Sequence, residues 1–186
     1  EEFGGRMAAT RHVLAYVDPA GWMLSLLGDP GVSERIAEIN FRPGANWSEA
    51  AVGTNGPGTA LAERRPVNVF ASEHFVEAWQ AWTCSAAPIV DPGSSELLGI
   101  VDITGPWQAH EVPSLVAAKA IARAIQERLG SARAIRDQVV EYAFRTAQGG
   151  DDGLVAVDHR GRAVAANDAV RRRLGFEGLA LPEPVR

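Results

Sequence analysis

The sequence holds a single cysteine, Cys84, so no disulfide can close within one chain and no all-cysteine metal site can form. That scarcity fits a reducing, cytoplasmic setting. Basic residues are outnumbered: 18 Lys and Arg against 23 Asp and Glu give a formal charge of −5. Neutralising phosphates takes a basic patch, so no direct nucleic-acid contact is expected. The local exception, Arg171-Arg172-Arg173, reads as the solvated face of a short helix. No apolar run approaches the roughly 18 residues of a membrane helix, and the first residues lack a secretory pattern; no membrane is expected as a partner. There is also no Ser/His/Asp constellation and no close carboxylate pair. Without a nucleophile and a base there is no reaction to assign, and the chain is not read as an enzyme. It opens on Glu1-Glu2-Phe3 without an initiator Met and stops at Pro184-Val185-Arg186, which reads as a piece of a longer protein.

What is present is organised around Trp82-Thr83-Cys84-Ser85-Ala86-Ala87-Pro88-Ile89-Val90 and, after a short turn, Leu97 to Thr104. Both runs are apolar over strand-like lengths. Asp91-Pro92-Gly93-Ser94-Ser95 between them concentrates turn formers: fixed φ at Pro, free φ at Gly, side-chain-to-backbone bonds at Asp and Ser. The pair predicts an antiparallel hairpin at the middle of a sheet. Alternation sends Trp82, Cys84 and Ala86 to one face and Thr83, Ser85 and Ala87 to the other. Past Trp82 both sets are small. Room is left above the strand for a ligand or a closely packed helix.

Upstream, Arg11 to Asp18 reads as a strand, Pro19-Ala20-Gly21 as a turn, and Trp22 to Leu27 as the partner strand. Ser33 is a candidate cap for a short helix through Ile39. Ser48 to Ala51 starts a helical turn, Gly53 to Thr59 is a glycine-rich loop, and Ala60 to Arg64 is helical by composition. Val67 to Phe70 is a short strand, and Glu73 to Trp82 an aromatic-rich loop.

Downstream, Pro113 suits the first turn of a long helix. Ala118, Ala122, Ile125, Leu129 and Ala132 recur at four- and three-residue steps, a coiled-coil spacing. Ile135, Val139 and Tyr142 continue the seam after one slip near Gly130-Ser131, where a kink or restart is expected. An unbroken helix from Pro113 to Gln148 would extend roughly 50 Å at about 1.5 Å per residue. That is longer than a compact domain of this size needs, and it predicts a signalling helix through which two copies pair as a homodimer. Gln148 to Asp152 is a linker. Gly153 to Asp158 and Ala163 to Ala166 read as a second hairpin, and Asn167-Asp168 caps a helix through Leu174. The strand, Asp-x-x-Gly turn, strand pattern therefore occurs twice, at Asp18 to Gly21 and at Asp158 to Gly161, and predicts two related modules joined by one helix.

Five stretches in order carry a family resemblance: Phe41 to Glu49, Gly53 to Leu61, Glu73-His74-Phe75, Trp82 to Ile89, and Asp102-Ile103-Thr104-Gly105. Together they resemble the GAF sensor domain of bacterial transcriptional activators of the acetoin- and glycerol-catabolism type, over roughly Arg11 to Leu129. Asp152 to Phe176 resembles the opening hairpin and first helix of a PAS domain. The resemblance implies an α+β fold: a GAF-type antiparallel six-stranded sheet flanked by helices, a long C-terminal connecting helix and a partial PAS module. It divides the chain into a sensor at 1–110, a connecting helix at 111–148 and the PAS part at 149–186. It also implies a small-molecule pocket over one face of the sheet and a downstream output domain.

The candidate ligand-binding residues are Trp47, Thr54, Asn55, His74, Phe75, Trp82, Cys84 and Asp102. The loop from Gly53 to Thr59 lacks the Gly-Lys-Ser/Thr ending of a phosphate cradle; it reads as a loop closing one side of the pocket, with Thr54 and Asn55 offering polar contacts. Cys84 reads as packing on a buried strand, with redox sensing as the alternative if it sits in an electropositive setting. One His without a second ligand at suitable spacing makes a poor metal site, so His74 is placed at the pocket rim as a hydrogen-bonding group, with haem ligation as the alternative. Asp102 on an apolar strand must be paired or exposed. Trp47, Phe75, Trp79 and Trp82 form either an aromatic box or an ordinary core. No cofactor is assigned and the effector is a small molecule of unassigned identity. A ligand-free dimerisation scaffold is the reading that competes with the sensor.

Overall fold

The computed structural model describes residues 10–109, 113–147, 152–158, 161 and 163–174. The chain divides into two compact units, residues 1–129 and 130–186. Among the described residues the first carries five strands: β1 (Val13–Val17), β2 (Met23–Gly28), β3 (Val67–Phe70), β4 (Trp82–Val90) and β5 (Leu97–Pro106). Their order across the sheet is β2-β1-β5-β4-β3, and every pair is antiparallel. The expected central hairpin is β4–β5, with its turn held by Asp91: Oδ1 accepts from Gly93 N at 2.7 Å and Ser94 N at 3.0 Å. The β1–β2 turn repeats the device. Asp18 Oδ1 accepts from Ala20 N and Trp22 N at 2.9 Å each, and Gly21 supplies the positive φ. The sixth strand implied by the resemblance has no counterpart among the described residues.

Among the described residues three α-helices precede β4. Helix α1 spans Pro30–Ala37, α2 Glu49–Val52 and α3 Gly56–Glu63. The cap of α1 is Asp29, whose Oδ1 accepts from Val32 N at 3.0 Å, and not Ser33. Pro30 at the first helical position marks the start that Ser33 obscured. Similarly, Gly56 to Thr59 is helix and not loop: Asn55 Oδ1 accepts from Gly58 N at 2.9 Å and Pro57 sits in the first turn.

Alternation gives the sheet two faces. One carries Val13, Ala15, Val17, Val67, Val69, Trp82, Ala86 and Ile100, packed with Met23, Ile36, Phe41 and Trp47 into the larger core. Each such large side chain contributes about 1.5–3 kcal/mol by leaving water. The other carries Ala87, Ile89, Val101 and Ile103, against which Ala118 and Ala122 of α4 (Pro113–Ala147) are buried. Two alanines let the helix backbone approach closely. At the bulge between Ile89 and Val90, the freed Val90 N–H donates to Gln126 Oε1 of α4 at 3.1 Å. Helix α4 runs through Gly130-Ser131 without a break, so it does not restart there; one glycine costs only about 1 kcal/mol within a helix.

In the second unit, β6 (Val155–Val157) and β7 (Ala163–Ala166) pair antiparallel, and α5 spans Asp168–Leu174. Asn167 ties the hairpin to the helix. Its Oδ1 accepts from Leu154 N and Val170 N at 3.1 Å each, and its Nδ2 donates to Asp152 O at 2.7 Å. The linker Gln148 to Asp151 and the turn residues His159, Arg160 and Arg162 lie outside the described residues.

Candidate functional site

A buried polar cluster interrupts the larger core. Register places Cys84 opposite Thr104 and Ala86 opposite Asp102, so Cys84, Asp102 and Thr104 project from one face. The turn at Ala71–Glu73 brings His74 over them. All four are buried, Asp102 completely. His74 Nδ1 lies 3.0 Å from Ala71 O and Nε2 3.4 Å from Cys84 Sγ. Thr104 Oγ1 lies 3.2 Å from the same sulfur and in a short contact with Asp102 Oδ2.

Each of these groups has few protons to give, and that fixes a direction. His74 spends Nδ1–H on the Ala71 carbonyl, so Nε2 accepts from the Cys84 thiol. The single Thr104 hydroxyl proton is shared between two acceptors, Cys84 Sγ and Asp102 Oδ2. Burial pushes the Asp102 carboxyl up to about 7, the Thr104 hydrogen bond opposing it. Burial also holds the Cys84 thiol well above its usual range, with Asp102 adding to the effect, and lowers His74 below its usual value. A thiol kept protonated in this way is a poor redox nucleophile. The remaining carboxyl oxygen, Asp102 Oδ1, is buried without a hydrogen-bond partner.

Helix α3 covers the cluster. A Cβ built on Gly56 would meet Cys84 Cβ at 2.3 Å and Asp102 Oδ1 at 3.0 Å. Of the two occupants foreseen for the room above β4, the close helix is the one in place.

The eight candidates therefore fall into three groups. His74, Cys84 and Asp102 form the cluster. Asn55 is wholly buried as the cap of α3, and beside it Thr54 O accepts from Phe75 N at 3.1 Å. Phe75 itself is 75% exposed, its ring against Gly53. Trp47 and Trp82 belong to the apolar core: Trp47 packs edge-to-face with Phe41 and tilted against Trp79 at centroid distances of 4.6 and 4.5 Å, and the Arg35 guanidinium lies 5.1 Å above Trp82. No four-ring box forms, because Phe75 points outward. Thr104 and Gly56 complete the cluster without having been singled out; the two-residue step from Asp102 to Thr104 on one strand was the available signal for the first. Among the described residues, no three His, Cys, Asp or Glu side chains are grouped to hold a metal.

The opposite face of the sheet holds an open groove of about 500 Å³. Leu14, Tyr16 and Leu27 come from β1 and β2, and Ile121, Ile125 and Leu129 from α4. Tyr16 donates its hydroxyl to Leu98 O at 2.8 Å, and no charged side chain lines the groove. None of the eight candidates reaches it.

Among the described residues no helix is long and apolar enough to cross a membrane. Residues 14–127 match the family model described as "MimR, N-terminal domain". An uncharacterized 47.3 kDa protein in the thcA 5' region of Rhodococcus erythropolis is 46% identical over 98 residues, 53% of this chain and 22% of that protein. The acetoin dehydrogenase operon transcriptional activator AcoR of Bacillus subtilis is 42% identical over 115 residues, 62% of this chain and 19% of its own length. The chain thus spans about a fifth of these relatives. Among solved structures, the crystal structure of the E. coli DhaR(N)–DhaL complex aligns with a TM-score of 0.71 at 24% identity, covering 97% of this chain and 62% of that one.

Proposed function

Because the chain belongs to the family described as the MimR N-terminal domain, we propose that it is the small-molecule-sensing regulatory part of a transcriptional activator, passing its state along α4 to a downstream output domain. Relatives named as operon activators support the regulatory role. In this reading residues 1–110 are a GAF sensor, 111–148 a connecting helix and 149–186 the opening of a PAS module, working in the cytoplasm as a homodimer paired through the helix from Pro113 to Gln148.

The observation that carries the sensing is the orphaned Oδ1 of Asp102. A buried acceptor without a partner costs about 1–3 kcal/mol, which a donor from a ligand would recover. The effector is then a small neutral molecule bearing a hydroxyl, admitted when α3 lifts from Cys84 and Asp102. His74 and Cys84 would meet its polar end, Trp47 and Trp82 would wall it, and Thr54, Asn55 and Phe75 would flank the entry. Binding shifts the balance between closed and lifted α3 only by the difference in affinity for the two states. Titrating diols, hydroxyketones, ketones, acids and aromatics while following tryptophan fluorescence and binding heat tests this. A saturable response to a hydroxyl compound, lost in Asp102→Ala, is expected; silence across the panel overturns it.

One observation favours a second reading. The contact between Gly56 and Cys84 fills the space over β4, as a ligand-free pairing module would require. Such a module responds to no compound in the panel yet still dimerises.

A further inference from the structure

Helix α4 carries a heptad register in which Ala118, Ile125, Ala132 and Val139 occupy one core position and Ile121, Arg128, Ile135 and Tyr142 the other, three residues on. Within the chain only the start of this seam is covered: Ala118 is buried, whereas Ile125 is 36% exposed, Ile135 63%, Val139 62% and Tyr142 71%. Ile121 and Ile125 also form one wall of the groove on the sheet. Its floor and far wall are Leu14 and Tyr16 of β1 and Leu27 of β2, with Leu27 52% exposed and neighbouring Leu24 56%.

The sheet explains why this half is bare. Five strands at about 4.8 Å span roughly 20 Å, while one helix covers about 10 Å. Ala118 and Ala122 seat α4 against the residues of β4 and β5, which leaves β1 and β2 to be covered by something else. Beside the groove Leu27 of β2 and Ile125 and Leu129 of α4 remain 52%, 36% and 43% exposed, and apolar surface gathered in one groove marks an interaction site.

We propose that the groove is filled by α4 of a second copy, parallel and in register, so that the dimer is held by β1 and β2 as well as by the helix seam. The proposal rests on the pairing of helices proposed above and adds the sheet to it. By two-fold symmetry each helix lies along the other and reaches the other's bare strands. The lining supports this occupant over a polar small molecule, since it offers no charge, its tyrosine hydroxyl is already committed to Leu98 O, and Ser25 is the one other polar side chain in it.

Sedimentation equilibrium of the 186-residue chain tests this with two variants, each checked for its fold by circular dichroism. Val139→Glu lies on the seam alone, and Leu27→Glu on the sheet alone. The proposal predicts that both raise the dimer dissociation constant on the order of tenfold or more. If Val139→Glu does so and Leu27→Glu does not, the groove is not part of the interface, although the helix pairing stands. If the parent chain is monomeric throughout, both readings fall. A photo-crosslinker in place of Leu27, used with mixed isotope-labelled and unlabelled copies, supplies an independent readout. Crosslinks to Ile121 or Ile125 of the other copy support the proposal, and crosslinks confined to one copy, or native mass spectra showing a small molecule retained in the groove, overturn it.

Discussion

The two faces of the sheet use the same strands for opposite ends. On the face bearing Cys84, the chain covers itself completely: α3 closes over β4 and β5, and polar groups are sealed inside with one carboxyl oxygen unpaired. On the face bearing Leu14 and Tyr16, the interior is apolar and open along α4. The difference shows that an opening to solvent need not mark where the polar chemistry lies. The closed face stores polar tension, and the open face stores unburied area.

The largest expected effect tests the closed face through pH. Asp102 is held up to about 7 from an ordinary 3.8, so the folded chain binds that proton more tightly than the unfolded one. Stability is fully present at low pH, declines as pH rises from about 4 to 7, and then levels, with a span of up to about 4 kcal/mol. His74, lowered by burial, opposes this as pH falls through its usual value, so the difference between parent and variant isolates Asp102. Urea unfolding of Asp102→Asn across that range should show the decline removed. An unchanged slope would mean Asp102 is not the buried acid described.

Next comes Gly56→Ala. Its methyl would meet Cys84 and Asp102, and overpacking of this kind costs typically 1–3 kcal/mol, read as a lowered melting temperature. A neutral result would show that α3 lifts easily, sharpening the sensor reading at the expense of the sealed one. The smallest effect belongs to the open face. Leu27→Ala should alter stability by no more than about 0.5 kcal/mol at concentrations that keep the chain unpaired. A larger loss would show that Leu27 is already buried by its own chain.

Much of the fold was legible because local chemistry and global packing agree. The β4–β5 hairpin follows from its alternation and from the Asp91 turn, and α4 from its long period. Two of the misses share one cause: a strong capping residue hid behind a plausible neighbour. Asp29 with Pro30 outranked Ser33, and Asn55 with Pro57 turned an apparent glycine loop into α3. The cluster was half legible. Cys84, His74 and Asp102 were named, yet nothing in the sequence says that Gly56 presses on Cys84, a contact that depends on helix placement across more than twenty residues. The open groove was invisible, because its walls come from β1, β2 and α4 and no single stretch carries its pattern.

The bond from Val90 N–H to Gln126 Oε1 has a mechanical consequence. Away from the two alanines, it is a directional fastening that pins α4 about a third of the way along its length. From that pin the first turn lies roughly 20 Å away and the last roughly 32 Å at about 1.5 Å per residue. The helix is therefore a lever with unequal arms, and a small tilt at the sheet end arrives about one and a half times larger at the far end.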